Sequence, residues 1–320
     1  MDATRRQRRA WYGCDWANSV FSTSVVAVFF GPYLTDVARA AADETGSVRL
    51  LGVSLRPEAI FPGVIGLATL LLLGVLPVTA VATRRLPRAE LLGALTLVGA
   101  GATMGLATVH GDAYVRGSVL FIVALVMLAA SIVVIDTFLP ELAARGERGR
   151  VSATASSAGF ASACLVLALS FGVVSGPLDL AESTAVRLCL LLAGLWWLLF
   201  MIWPVIALRG MSTTVDEDED GAGGGHPVGL RRVARVLWRT PLVPAFLVAY
   251  LLYNNGLQGV SSLSGTFGSE ALRIDEGELI VAVLITTAAG AVGALVAGRL
   301  SRRVGTLRVL AGCLVLLALT

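Results

Sequence analysis

The sequence predicts an all-α integral membrane bundle built from two halves, and three observations carry that prediction. Of 320 residues, 56% are hydrophobic and 15% charged, with a mean hydropathy of +0.80; soluble domains carry roughly 25% charged residues. Eight charge-free runs recur, at 16–34, 60–81, 91–109, 117–135, 151–178, 188–208, 241–268 and 279–298, and crossing hydrocarbon takes about 20 apolar residues, within a range near 17–25. The segments between the runs alternate between arginine-rich and arginine-poor.

The first run follows MDATRRQRR. No small-residue cleavage site comes after it, so it reads as a retained span and not as a secretory signal. Asp15, Asn18, Ser19 and Ser22 stand at i, i+3, i+4 and i+7, one polar stripe on a helix. A carboxylate at membrane depth costs about 3 kcal/mol or more unless it faces water or a partner. Asp15 therefore either lines a transport path or begins the helix near its positive end, where an anion gains about 0.3–1 kcal/mol. Asn18, a turn deeper, is the better candidate for lining a cavity.

The second and third runs are joined by TRRLP (83–87), which supplies Arg84 and Arg85. GAGATMG (99–105) in the third lacks dinucleotide spacing and a preceding strand. The fourth ends in IDTFLPELA (135–143). There Asp136 can bond an arginine such as Arg84 or Arg85, locking one state, or stay solvated; Glu141 reads as interfacial. Ser152, Ser156, Gly159 and Ala163 in the fifth run, and Gly290, Gly293 and Ala297 in the eighth, are small-residue stripes that close helix packing explains.

After the sixth run, residues 209–240 hold DEDED (216–220) and GAGGGHP (221–227), the composition of a linker. The segment ends in GLRRVARVLWR, with apolar and arginine faces opposed as in a helix lying on the membrane surface. The seventh run carries Tyr253, Asn254, Asn255 and Gln258, and Asn254, Gln258 and Ser261 share a face. Buried amides left unpaired cost about 1–3 kcal/mol each, so neighbouring helices or a solute must satisfy them. SRRVG (301–305), with Arg302 and Arg303, follows the eighth run. The ninth run, 309–320, has 12 residues. That is about 18 Å of helix against a core of about 30 Å, so the expectation is a fragment or truncated product with eight full spans and a partial ninth.

All 25 basic residues are arginines. With a cytosolic N-terminus, 19 lie inside and six outside (Arg39, Arg49, Arg56, Arg116, Arg187, Arg273). This positive-inside bias predicts a multi-pass protein of the cell membrane with its N-terminus in the cytosol. The net charge of +3 reports that orientation, and no nucleic-acid partner is needed to explain it. The four cysteines show no metal-ligand spacing, and HExxH, GxSxG and P-loop patterns are absent. His110 and His226 read as loop residues. No catalytic residue, metal or cofactor is expected.

The halves repeat. DWAN (15–18) and NGLQ (255–258) both sit in the first helix of a half, and TRRLP and SRRVG occupy matching loops, the arrangement of a parallel-repeat transporter. The expected domains are a six-helix half over 1–208, the linker over 209–240, and the start of a second half over 241–320.

WYGCDWANSVFST with FFGPYLTD, IDTFLPELA, RGRVSATASSAGF (148–160) and AYLLYNNGLQGV (249–260) resemble the vacuole-effluxer-like branch of the major facilitator superfamily. Its bacterial members form the "unknown major facilitator" family. The resemblance implies two six-helix halves, the second incomplete here, and alternating access. It implies a small polar solute as cargo, amino acids first; protons are a candidate coupling ion beside it, with Asp15 and Asp136 as the intramembrane carriers, and no residue names the ion. The chain departs from the family pattern in Asp136, where an asparagine is usual, and in Asn255, where an aspartate is. Thr83 and Ser301 stand in place of the loop motif's aspartates. The solute-binding candidates are Asn18, Ser22, Tyr253, Asn254, Asn255 and Gln258. The coupling or gating candidates are Asp15, Asp136, Arg84, Arg85, Arg302 and Arg303. Two alternatives stand beside this reading. A transport-inactive remnant or scaffold fits the short ending, and a membrane enzyme would need a His, Asp or Cys cluster at one depth, which the sequence lacks.

Overall fold

The computed structural model describes residues 2–50, 52–144, 146–175, 180–211 and 242–319. The predicted linker and its amphipathic helix fall largely on 212–241, outside the described residues.

Helix α1 runs unbroken through residues 2–40, as an α stretch Asp2–Val20, a π-helical stretch Phe21–Phe29 and a second α stretch Phe30–Ala40. It is longer than the expected 16–34 run because the basic N-terminal residues continue the helix beyond its apolar part. Then come α2 (Ile60–Arg85), α3 (Arg88–Leu106), α4 (Tyr114–Asp136), α5 (Arg148–Val174) and α6 (Glu182–Leu208). The remaining helices are α7 (Leu242–Glu270), α8 (Glu276–Val304) and α9 (Thr306–Leu319). A single helical turn, Leu139–Leu142, sits between α4 and α5.

Among the described residues seven helices are long and apolar enough to cross a membrane, at 5–40, 57–85, 88–106, 114–142, 148–174, 182–208 and 277–300. The predicted seventh run is also a helix, α7, of 29 residues. Helix α9 has 14 residues, about 21 Å of helix.

A short hairpin caps one face, with β1 (Val48–Leu50) antiparallel to β2 (Val53–Leu55) and Gly52 turning at φ 83°. At its root Asp43 accepts hydrogen bonds from the Thr45 hydroxyl (2.6 Å) and the Ser47 amide (3.1 Å). These bonds hold its carboxyl below the usual carboxylate range. The turn is therefore supported at neutral pH and loses that support as pH falls through the lowered pKa.

The core forms around α1, of whose apolar window 72% is buried, against 17% for α2. Phe30 stacks on Phe121 at 4.7 Å, Phe61 meets Phe121 at 5.4 Å, and Phe21 lies 5.6 Å from Trp197. Leu70, Leu73 and Val78 of α2 are exposed, which suits a surface whose solvent is lipid. Helices α3 and α6 cross at Gly194 and Gly99. A Cβ on Gly194 would fall 2.8 Å from the Met104 nitrogen and 3.1 Å from the Ala100 carbonyl. The backbone cannot move aside for it, so Gly194→Val should cost about 3 kcal/mol. The expected readout is a clear drop in unfolding temperature in detergent, whereas Gly101→Val, which faces open space, should change little.

Candidate functional site

Among the described residues the halves meet chiefly along two helix pairs, α5 with α8 and α1 with α7, and α8 also touches the π-helical stretch of α1. Helices α5 and α8 run antiparallel. Gly298 faces Ala153, Gly290 faces Phe160, and Gly277 faces the Ser175 hydroxyl, with would-be Cβ contacts of 3.8, 3.5 and 3.1 Å. Gly293 faces open space, so close packing accounts for only part of the α8 stripe. Helices α1 and α7 run parallel and touch near one end. A Cβ on Gly265 would collide with the Ala27 carbonyl and fall 2.9 Å from that of Val28. One on Gly31 would strike the Thr266 hydroxyl and Phe61. Only glycine at these two positions lets the helices approach so closely.

Beyond this contact the two helix ends are tied by charge. Arg39 pairs with Asp36 (3.0 Å), with Glu58 at the head of α2 (2.9 Å), and across the halves with Glu270 at the end of α7. Arg39 is half-exposed, so each pair contributes only about 0–1 kcal/mol.

On the opposite face a different arginine dominates. Arg88 has 1% of its side chain exposed. It pairs with Glu141 at 2.6 Å, donates to the Thr137 carbonyl at 3.1 Å, and lies 4.6 Å over the Phe138 ring. Arg8 donates to the Leu142 carbonyl (2.7 Å) and pairs with Glu147 (3.0 Å), while the Trp11 indole donates to Ile135 (3.0 Å). The FLPEL turn is thus a helix end whose orphan carbonyls are capped by side chains from α1 and α3.

Asn18 is buried, 5% exposed, and its amide nitrogen donates to the Ser131 hydroxyl of α4 at 3.5 Å. Its oxygen is buried without a partner. Ser22 and Gln258 are exposed; Asp15 and Tyr253 are half-buried. Ser22 precedes Ala27 by five residues and Gln258 precedes Gly265 by seven, so both lie on the same side of the α1–α7 contact. Asp136 is exposed. Arg84, Arg85 and Arg303 are exposed. Among the described residues no ion pair joins Asp136 to Arg84 or Arg85, because the buried arginine of this face is Arg88, which reaches Glu141 instead. Glu141 is accordingly not a merely interfacial carboxylate. The side chains of Asn254, Asn255 and Arg302 lie outside the described residues.

Sequence reasoning passed over Arg88, Arg39 and Glu270. Arg88 did carry a signal: a cation at the first position of a helix opposes the helix dipole, so it needs a compensating partner.

An all-α bundle of spanning length, with two halves meeting along one parallel and one antiparallel helix pair, has the architecture of a major-facilitator-type membrane transporter. The chain belongs to the family described as vacuole effluxer Atg22 like, whose sequence model matches residues 3–320. It is also similar to an uncharacterized MFS-type transporter, YxiO, of Bacillus subtilis (strain 168). Identity is 23% over 314 residues, covering 95% of this chain and 69% of that relative. These matches bear out the family and the helical membrane fold. They support a transporter role, with the bilayer as surroundings and a small solute as cargo.

Proposed function

We propose that the protein moves a small polar solute, amino acid-like in size and polarity, across the cell membrane by alternating access, with its N-terminus in the cytosol. The observation that carries this reading is that the α1–α7 seam, unlike the α5–α8 seam, is held at one end among the described residues. It is zipped at the Arg39 face, while Ser22 and Gln258 on the same seam stand exposed below the zip. In this reading the Arg39 face is external and closed, residues 209–240 join the halves in sequence, and Tyr253, Asn254 and Asn255 remain the further solute-binding candidates of α7. Asn18, buried behind Ser22, fixes α1 against α4 through Ser131. Asp15 and Asp136 are the carriers for proton coupling.

The test is uptake of an amino-acid panel by vesicles containing the full-length product. Gln258→Leu and Ser22→Leu should lower flux at least about tenfold, because a site built to hydrogen-bond its ligand is left unpaired by the change. The same variants should elute from a sizing column as the parent does. Flux lost in step with folded protein would make these side chains packing residues. Asp15→Asn with Asp136→Asn should uncouple flux from a pH gradient. Reporters fused at 216–226 should read cytosol and those at 112–116 exterior; the opposite labelling would overturn the orientation.

A further inference from the structure

We infer that the π-helical stretch Phe21–Phe29 is the element that rewinds when the Arg39 face opens. The inference rests on the alternating-access reading above.

π-turns are rare, usually a single turn long, and concentrated at functional sites. Here the stretch runs for nine residues at the middle of α1, between an inner segment packed on α5 and α6 and an outer segment carrying Arg39. The contact with α7 falls on this stretch, since Gly265 lies against the carbonyls of Ala27 and Val28. The wide turn and the closed gate are therefore one contact. Moving α7 away removes the backbone that covers those carbonyls, and the stretch is free to return to i→i+4 bonding. A polar side chain already competes for the backbone at its entrance, the Ser24 hydroxyl donating to Val20 at 2.6 Å. Rewinding changes the number of residues per turn, so it rotates the outer segment, and with it Arg39, relative to the inner one. Gly265 and Gly31 act here as positioning residues.

An i→i+5 ring contains one residue more than the i→i+4 ring it replaces. Deleting Thr23 therefore removes the extra residue and returns α1 to a continuous α-helix, without the wide turn on which the α7 contact sits. The experiment uses the full-length product with Cys14, Cys164, Cys189 and Cys313 replaced by serine. Ala42→Cys and Ala271→Cys then flank the Arg39–Glu270 pair, and the rate of cross-linking by a short bifunctional maleimide is measured in vesicles. The parent should cross-link readily, and the Thr23 deletion should slow this about tenfold, a shift within the usual range of coupling between sites. A parent that does not cross-link overturns the closed-face reading itself. A folded deletion variant that cross-links as fast as the parent overturns the π-stretch inference alone. Should the deletion variant not fold, Gly265→Leu displaces α7 without altering α1. It should slow cross-linking and also slow amide exchange across residues 21–30, because the N–H left unpaired at the entry to a π-turn regains its bond. Slowed cross-linking with unchanged exchange there overturns the inference.

Discussion

Arg39→Glu is expected to open the face that Arg39 now holds shut. The substitution places a fourth carboxylate beside Asp36, Glu58 and Glu270. Only the Glu270 contact crosses the halves, so it alone bears on opening, and it turns from attraction into repulsion. The groups are partly exposed, so the change is about 1 kcal/mol, or about a fivefold change in the ratio of open to closed forms. Gln258→Cys in a cysteine-free background should then react faster with an impermeant maleimide added from the Arg39 side. Pairing Arg39→Glu with Glu270→Arg should restore part of the parent rate, because the cross-half contact returns with its sign reversed. High salt should narrow the difference between parent and variant, since exposed charges are screened. If labelling is the same in parent and variant, the charge cluster is a surface ornament and the glycine contact alone closes the face.

Arg88→Met should have the larger effect on the fold. The side chain is fully buried, and it answers a carboxylate, a carbonyl and an aromatic face at once. Methionine fills part of the space but leaves Glu141 without its partner and the Thr137 carbonyl without its donor. Glu141 is a third exposed and regains water, so the cost is about 2–3 kcal/mol, from the lost packing and the buried carbonyl left without its donor, enough to lower the unfolding temperature clearly in mild detergent. Glu141→Gln keeps a hydrogen-bond acceptor and should lose less. Arg84→Ala and Arg85→Ala, both exposed, should leave the unfolding temperature within a degree or two of the parent. Equal stability of Arg88→Met and the parent would refute the capping role.

The helices were legible because crossing hydrocarbon demands long apolar runs, and charge sets their limits. That is why α2 to α6 begin and end within a few residues of the predicted runs. The FLPELA segment was legible as a motif but not as a mechanism. Arg84, Arg85 and Arg88 lie within five residues of one another, and only the turn at Pro87 decides which one points inward. The α1 stripe was read as one polar face. In the structure it divides, with Asn18 turned to Ser131 and Ser22 left exposed, because a neighbouring helix meets the stripe at Asn18 and does not reach Ser22. The Arg39–Glu270 pair spans 231 residues; neither residue belongs to a local pattern, so nothing in the chain around them announces the partner.

The clamp that Arg8 places on the Leu142 carbonyl closes over 134 residues of chain. A ribosome adding about 5–20 residues per second delivers the acceptor roughly 7–27 s after the donor. Through that interval the Leu142 carbonyl does not yet exist, and water or headgroups must answer the Arg8 guanidinium; an anionic headgroup is worth about 1 kcal/mol to an arginine near the surface. Insertion of the first half would then be a handover, in which Arg8 passes from its first partners to the protein carbonyl once the fourth helix has been made.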